Sequence, residues 1–156
     1  MPTIRPVTRS EAGKWLRMRQ ALWPDSGVAE HQEGIDRYFS GDRREPAEVL
    51  LAIAADGRAI GFAELSIRNI VDGCSTGHVA YLEGWYVDAG TRRQGVGRML
   101  IEAAERWAVD QGCAEFGSDA LIDSELSRVA HAGLGFEETG QVRTFRKSIV
   151  AGTGRP

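Results

Sequence analysis

A basic, glycine-rich segment between a strand-like run and an amphipathic run constrains this 156-residue chain more than any other feature. It occupies residues 88–97 and contains Arg92, Arg93, Gly95 and Gly97. The residues before it favour a strand, and the apolar spacing after it is typical of a helix. Such a junction leaves unpaired backbone N–H groups and the positive end of a helix dipole facing one place. The segment therefore predicts an anion site, to which arginines can add charge-assisted contacts with phosphate oxygens.

Two common phosphate-binding motifs do not fit this segment. A Walker loop needs Gly-x4-Gly-Lys-Ser/Thr, which the chain lacks. A dinucleotide-binding fingerprint needs Gly-x-Gly-x-x-Gly, but Leu100 stands where the third glycine would be. A solvated basic turn that caps a helix is the alternative interpretation.

The order of the elements predicts an α+β domain in which helices flank a sheet of mostly hairpin-linked strands. Helices are predicted at residues 11–22, 29–39, from 99 to near 112, and 124–134. Strands are predicted at residues 48–55, 59–67, 79–87 and 114–119, with a terminal hairpin at 136–138 and 142–148. Asp56-Gly57 predicts the first hairpin turn. Residues 1–149 are expected to form one domain, and residues 150–156 a frayed tail.

Composition excludes several classes of function. A net charge of −3 argues against a nucleic-acid-binding protein. No apolar stretch is long enough to cross a bilayer, and the N-terminus lacks the apolar core of a signal peptide. We therefore expect a cytoplasmic protein with no membrane partner, in which Cys74 and Cys113 are reduced. The three histidines are far apart in the sequence, so no metal site is expected.

Three segments carry a family resemblance. Arg92-Arg93-Gln94-Gly95-Val96-Gly97 resembles the Gln/Arg-x-x-Gly-x-Gly/Ala signature of the GCN5-related N-acetyltransferases. The strand-like residues 82–87 and the segment Leu134-Gly135-Phe136 follow in that family's order and spacing. The resemblance covers almost the whole chain. It implies the family's fold, a mixed and mostly antiparallel central sheet flanked by helices, with acetyl-coenzyme A as the donor.

The same resemblance implies where the donor binds. The pyrophosphate would lie on the amides of residues 93–98, and the pantetheine arm in a gap between the strands at 79–87 and 114–119. The backbone N–H of Val87 would face the thioester carbonyl and stabilise the negative charge that develops on its oxygen. The implied coenzyme contacts are Tyr86, Val87, Arg92, Arg93, Gln94, Gly95, Val96, Gly97, Arg98 and Ser124.

A narrower resemblance concerns the acceptor. Scattered segments are similar to the aminoglycoside 6′-N-acetyltransferases, among them Gln20-Ala21-Leu22-Trp23-Pro24, Leu82-Glu83-Gly84 and Ser118-Asp119. The similarity implies a small polycationic acceptor, an aminoglycoside, and a homodimer.

The acceptor is expected to contact Trp23, Glu83 and Asp119. A carboxylate bounded by apolar residues is costly unless it is paired or lines a cleft, so Glu83 and Asp119 suit ammonium groups. The attacking amine must be neutral, and Asp119 is the first candidate for the base, with Glu83 the second. Trp23 could instead anchor its helix, and each carboxylate could cap a loop or pair with an arginine. His131 stands where many family members have a tyrosine, and either protonates the departing thiolate or merely packs.

Two other functions fit the sequence. The chain could acetylate a different amine, such as a polyamine, a peptide N-terminus or lysine. It could also be a non-catalytic module that binds coenzyme A.

Overall fold

The computed structural model describes residues 1–150, in which the strands form one five-stranded sheet in the order β1-β2-β3-β4-β5. The strands are β1 Thr3–Pro6, β2 Glu48–Ile53, β3 Ala59–Arg68, β4 Val79–Val87 and β5 Phe116–Ser118. The helices are α1 Ala12–Leu22, α2 Val28–Phe39, α3 Val96–Asp110 and α4 Glu125–Gly133. Neighbouring strands run antiparallel except β4 and β5, which are parallel. The predicted mixed, mostly antiparallel sheet flanked by helices is confirmed.

Helices cover both faces of the sheet, because β2 and β3 carry apolar side chains on both. On one face α1 and α2 pack through Trp15 and Ile35 against Phe62. On the other face α3 packs through Leu100 and Ala104 against the strands. These side chains are almost fully buried, which is the main source of stability in a domain of this size.

One extra residue interrupts β4. Glu64 of β3 pairs with Gly84, but the next residue, Leu65, pairs with Leu82, so Glu83 has no opposite residue. A bulge of this kind shifts the alternation of side chains along the strand. Leu82 before it and Trp85 after it therefore pack on the same, α3-covered face.

A gap opens between β4 and β5. The two strands pair only from Ala80 to Leu82, opposite Phe116 to Ser118. Beyond that point β5 ends, and the edge of β4 from residue 83 to 87 has no strand beside it within the described residues. The predicted gap is present, and Ser118 lies where the strands separate.

The sequence prediction was wrong at both ends of the chain. β1 was not predicted, because Thr3–Pro6 is only four residues long, contains a proline and shows no clear alternation of apolar and polar side chains. The predicted terminal hairpin is not formed: residues 136–150 contain no strand, and residues 137–150 are exposed. A strand is stabilised when one face of its side chains packs on a core. Residues 137–150 stay exposed and do not gain that packing, although the outer edge of β5 has no partner within the described residues. Residues 151–156, most of the predicted tail, lie outside the described residues.

The sequence predicts neither a membrane-spanning helix nor a metal site. Within residues 1–150 no helix has both the length and the apolar character needed to span a bilayer. The same residues contain no cluster of three or more potential metal ligands.

Candidate active site

The glycine-rich segment forms a loop whose backbone amides converge at the start of α3. Gly95 is the N-cap residue with φ +84°, and Arg93 has φ +62°. Met99 makes the first intrahelical hydrogen bond, its N–H lying 3.0 Å from the Gly95 carbonyl oxygen. The N–H groups of residues 96–98 therefore have no carbonyl partner within the helix. These amides and the helix dipole suit the phosphates of a coenzyme.

The arginines of the loop are used in different ways. Arg92 folds back, and its Nε donates to the Val87 carbonyl at 2.9 Å. Arg98 ties α3 to the end of α4, its Nη2 donating to the Gly133 carbonyl at 3.2 Å. Arg93 and Gln94 are exposed beside the loop. The backbone rather than an arginine clamp therefore forms the central part of the anion site.

Gly97 makes room for a tryptophan rather than for the ligand. A Cβ at this position would lie 3.0 Å from the Trp85 ring. Trp85 also packs edge-to-face on His131 of α4, with ring centroids 5.7 Å apart. Its indole Nε1 is buried and has no hydrogen-bond partner among the described residues. A buried donor without a partner is unusual in a native fold.

The backbone N–H of Val87 points into the gap. Asp88 N–H donates to the Ile60 carbonyl of β3 at 2.8 Å. Because successive residues of an antiparallel strand direct their N–H groups to opposite edges, the Val87 N–H faces away from β3. Tyr86 is less available, since its hydroxyl donates to Asp88 at 2.9 Å and its ring packs on Phe62. Burial, together with this hydrogen bond, raises the pKa of Tyr86.

The two predicted acceptor carboxylates belong to one connected chain of side chains. Arg68 donates to both oxygens of Glu83, at 3.0 and 2.7 Å. The same guanidinium lies 3.7 Å from the centre of the Tyr81 ring, and the Tyr81 hydroxyl donates to Asp119 at 2.6 Å. Burial and this hydrogen bond raise the pKa of Tyr81. Asp119 is exposed at the end of β5, whereas Glu83 is half-buried.

Trp23 is both anchored and partly open to solvent. A Cβ on Gly84 would lie 2.5 Å from its ring, so the glycine allows the indole to rest on β4 beside Glu83. The Arg19 guanidinium lies 4.8 Å from the centre of one ring face, and His31 stacks nearby. The indole is half-buried, so part of it remains open to solvent.

A buried ion pair holds Arg19 beneath Trp23. Arg19 binds the Glu64 carboxylate, which also accepts a hydrogen bond from Trp15 Nε1 at 3.2 Å. Arg19 Nε donates to His31 Nδ1 at 3.2 Å, and His31 Nε2 lies 3.2 Å from the Trp23 carbonyl oxygen. Burial raises the pKa of Glu64, although Arg19 opposes the shift. An unpaired carboxylate would be very costly there, so this network fixes the α1–α2 corner.

His131 lies at the narrow end of the gap. Its Nδ1 is 2.7 Å from the Ser127 carbonyl oxygen, which requires that Nδ1 carries a proton. The Nε2 is 2.8 Å from the Ser118 hydroxyl, which then donates to it when the ring is neutral. His131 packs on Trp85, as one of its two interpretations expects, and it also forms a hydrogen-bonded pair at the end of β5; its role as proton donor stays a prediction.

The predicted residues thus fall into two groups. The loop and Val87 lie beside α3 and His131 lies on α4, whereas Trp23 rests on Gly84, and Glu83 and Asp119 are joined through Arg68 and Tyr81. Ser124 is half-buried at the N-terminus of α4, and its side chain does not cap that helix.

Sequence reasoning missed several residues that organise the site. The missed residues are Arg19, His31, Glu64, Arg68, Tyr81 and Ser118. The alternating pattern of β4, with a polar-tipped Tyr81 two residues before Glu83, was the one available signal for Tyr81. The partners of the others are far away in sequence, and no local pattern indicates them.

Comparison with known proteins identifies the family. The model of the acetyltransferase (GNAT) family matches residues 15–136. The aminoglycoside N(6')-acetyltransferase type 1 of Klebsiella aerogenes is 51% identical over 95% of this chain and 97% of its own length. AAC(6')-Iy, solved in complex with the bisubstrate analogue CoA-S-monomethyl-acetylneamine, is 35% identical and superimposes with a TM-score of 0.88 over 96% of this chain and 99% of its own. AAC(6')-IG of Acinetobacter haemolyticus superimposes with a TM-score of 0.86, at 38% identity over 94% of this chain and 99% of its own. The chain therefore belongs to the acetyltransferase (GNAT) family and groups within it with the aminoglycoside N(6')-acetyltransferases.

Proposed function

We propose that this protein transfers the acetyl group of acetyl-coenzyme A to the 6′-amine of aminoglycoside antibiotics, and so confers resistance. The observation that carries the proposal is the gap where β4 and β5 stop pairing, with the free amides of the Gly95 loop at the start of α3. The carboxylates of Glu83 and Asp119 lie beside it, connected through Arg68 and Tyr81. The names of the relatives given above, aminoglycoside N(6')-acetyltransferases, support an aminoglycoside as the acceptor. AAC(6')-Iy was solved in complex with a bisubstrate analogue, CoA-S-monomethyl-acetylneamine, in which donor and acceptor are joined in one molecule. A gap that holds both substrates at once would accommodate such a molecule.

The site would bind both substrates at once. Loop amides of residues 93–98 would hold the pyrophosphate, and the edge of β4 from residue 83 to 87 would lie along the pantetheine arm. The acceptor's sugar ring would rest on the exposed part of Trp23, with its ammonium groups near Glu83 and Asp119. Direct attack in such a ternary complex needs only orientation and proton transfer.

The amine loses a proton before it can attack. Asp119 is exposed, and Tyr81 occupies its Oδ2, while Oδ1 receives no hydrogen bond from the described residues. We propose that Asp119 accepts the proton, directly or through one water, with Glu83 holding a neighbouring ammonium. A new N–C bond then forms as the C–S bond breaks, and the Val87 N–H stabilises the charge on the carbonyl oxygen.

The departing thiolate takes a proton at the narrow end of the gap. A protonated His131 would donate from Nε2 to the Ser118 hydroxyl, and that hydroxyl would pass its own proton to sulfur. The Ser127 carbonyl keeps the ring oriented for this exchange throughout.

Thiol release measured in parallel with tobramycin, spermidine and a lysine peptide tests the proposed substrate. We expect tobramycin to be turned over fastest, with a 6′-acetyl product identified by mass spectrometry and NMR. Turnover of another amine alone would contradict the aminoglycoside assignment but not the family. Coenzyme A binding without turnover of any amine would instead identify a non-catalytic module.

We also propose a homodimer in the cytoplasm. Exposed apolar side chains on the C-terminal segment support a partner copy: Val142 is 70% exposed, Phe145 91% and Ile149 90%. Isolated exposed apolar residues are common, but several on one segment favour an interface. The free thiols of Cys74 and Cys113 are consistent with a reducing compartment.

A further inference from the structure

The guanidinium of Arg68 binds the carboxylate to which an acceptor ammonium is expected to bind. Its Nε and Nη2 donate to the two oxygens of Glu83 at 3.0 and 2.7 Å. This two-point geometry is the strongest that an arginine makes with a carboxylate. Both Glu83 oxygens are therefore engaged by Arg68.

A second interaction stabilises Arg68 in this position. The guanidinium carbon lies 3.7 Å from the centre of the Tyr81 ring, within the range of a cation–π contact. Tyr81 in turn donates to Asp119 at 2.6 Å. Arg68 and Tyr81 thus connect the two carboxylates of the acceptor face, and the charge of Glu83 is neutralised.

The position of Arg68 in the fold allows its side chain to move away from Glu83. Arg68 is the last residue of β3, and the residues that follow, 69 and 70, are exposed. Its side chain is 39% exposed, whereas that of Glu83 is 16% exposed. The arginine can therefore move into solvent without leaving a cavity, while the carboxylate stays fixed in the bulge of β4.

We propose that Arg68 is an internal counter-ion, which an ammonium group of the acceptor displaces from Glu83 on binding. The proposal deepens the proposed function and rests on it, because Glu83 must be an ammonium site. The exchange keeps Glu83 neutralised both with and without acceptor. Arg68 therefore sets the specificity threshold, since an acceptor must compete with a two-point ion pair and offer further contacts of its own.

The substitution Arg68→Gln removes the competing charge. We expect the KM for tobramycin, and its Kd from calorimetry, to fall about two- to fivefold, the size expected for a partly exposed ion pair. The KM for acetyl-coenzyme A should stay unchanged. Arg58→Gln is the matched control: Arg58 also pairs with a carboxylate, Asp56, but precedes the opposite end of β3. It should leave both constants unchanged.

A double-mutant cycle tests the pairing itself. In a Glu83→Gln background, Arg68→Gln should no longer tighten tobramycin binding, because no charge remains to compete for. Arg68→Lys keeps the charge without the two-point geometry, so its Kd should lie between those of the wild type and Arg68→Gln. This variant also provides a test if Arg68→Gln lowers the thermal unfolding midpoint.

The outcomes distinguish a failure of the proposed function from a failure of the counter-ion role of Arg68. A wild-type protein that neither binds nor acetylates tobramycin contradicts the proposed function. A wild-type protein that does both, with an unchanged or weaker tobramycin Kd in Arg68→Gln and Arg68→Lys, overturns the counter-ion role and leaves the function intact. That second result would mean that Arg68 only holds Glu83 in place.

Discussion

At the scale of single residues, the hydroxyl of Tyr81 orients the carboxylate of Asp119. It binds one carboxylate oxygen at 2.6 Å and fixes the exposed group at the end of β5. Gly117 beside it makes room for the Tyr81 ring, since a Cβ there would lie 3.1 Å from a ring carbon. The carboxylate of Asp119 is thus oriented by a neighbour on β4 rather than by its own exposed segment.

Replacing Asp119 by asparagine should slow acetyl transfer without affecting the donor. Loss of a positioned base typically costs about 100-fold or more in rate, so we expect kcat/KM for tobramycin to fall by that factor. The KM for acetyl-coenzyme A should not change. Asp123→Asn makes the same chemical change at an exposed carboxylate four residues later and should retain wild-type kinetics. Wild-type turnover by Asp119→Asn would show that no base acts at this position.

At the scale of elements, the N-cap of α3 is a left-handed residue, and Arg93 two residues earlier has a positive φ as well. Gly95 has φ +84°, and no atom outside its neighbours lies within 4 Å of where its Cβ would be. Any other residue would therefore fit into the space but strain the backbone. The loop's amide array depends on this conformation and on that of Arg93.

Gly95→Ala should weaken coenzyme binding more than it weakens the fold. Gly112, just beyond the other end of the same helix, offers a matched comparison with φ +81° and equally open space. We expect both alanine variants to lose about 1 kcal/mol of unfolding free energy. Only Gly95→Ala should raise the KM for acetyl-coenzyme A. Equal KM values in the two variants would contradict a role of the loop in binding the coenzyme phosphates.

The elements also show what the sequence could and could not predict. The strands at residues 48–53, 59–68 and 79–87 were predicted nearly to the residue, because apolar runs and an Asp-Gly turn delimit them. The loop was predicted because its chemistry is local. The pairing of Arg68 with Glu83 was not, since it depends on how β3 and β4 pair, which brings residues 15 apart together. The terminal hairpin was wrong because alternation alone cannot show whether a segment packs on the rest of the fold, and residues 137–150 are exposed.

At the scale of the whole molecule, a buried carboxylate joins the N-terminal strand to the first helix. Glu11 accepts hydrogen bonds from Arg5 at 2.8 and 2.7 Å and from the Thr8 backbone N–H at 2.9 Å. The hydrogen bonds from Arg5, opposed in part by burial and supported by Thr8, lower the pKa of Glu11 from 4.5 to about 2. The ionised form is therefore favoured by folding.

This shift predicts an acid-dependent loss of stability. The folded pKa lies below the unfolded one, so the contribution is complete above pH 4.5 and is lost as the pH falls towards 2. Glu11→Gln should lower the unfolding free energy at pH 7 by on the order of 2 kcal/mol. In urea unfolding the difference from wild type should shrink at pH 3. Glu102→Gln, at an exposed position on α3, should show no such difference at either pH. A constant difference across the pH range would argue against the pKa shift.

The proposed dimer makes a prediction at the same scale. Phe145→Asp places a charge on the exposed C-terminal segment, and we expect it to shift the sedimentation equilibrium from dimer to monomer. Ile70→Asp introduces the same charge at another exposed apolar residue, 87% exposed in the β3–β4 loop, and should leave the assembly unchanged. A wild-type monomer would refute the proposal, and a dimer unaffected by Phe145→Asp would place the interface elsewhere.

The extra residue in β4 has a consequence for how such a chain can vary in length. Glu83 is accommodated as a bulge, so Leu82 and Gly84 on either side of it still pair with two consecutive residues of β3, Leu65 and Glu64. Deleting Glu83 would therefore leave a regular strand in which Leu82, Trp85 and Val87 keep their places on the α3 face. The length of β4 can thus change by one residue at this point with the loss of one carboxylate and without turning Trp85 away from Gly97. Evolution can remove the Glu83 carboxylate in this way while the α3 side of β4 keeps its arrangement.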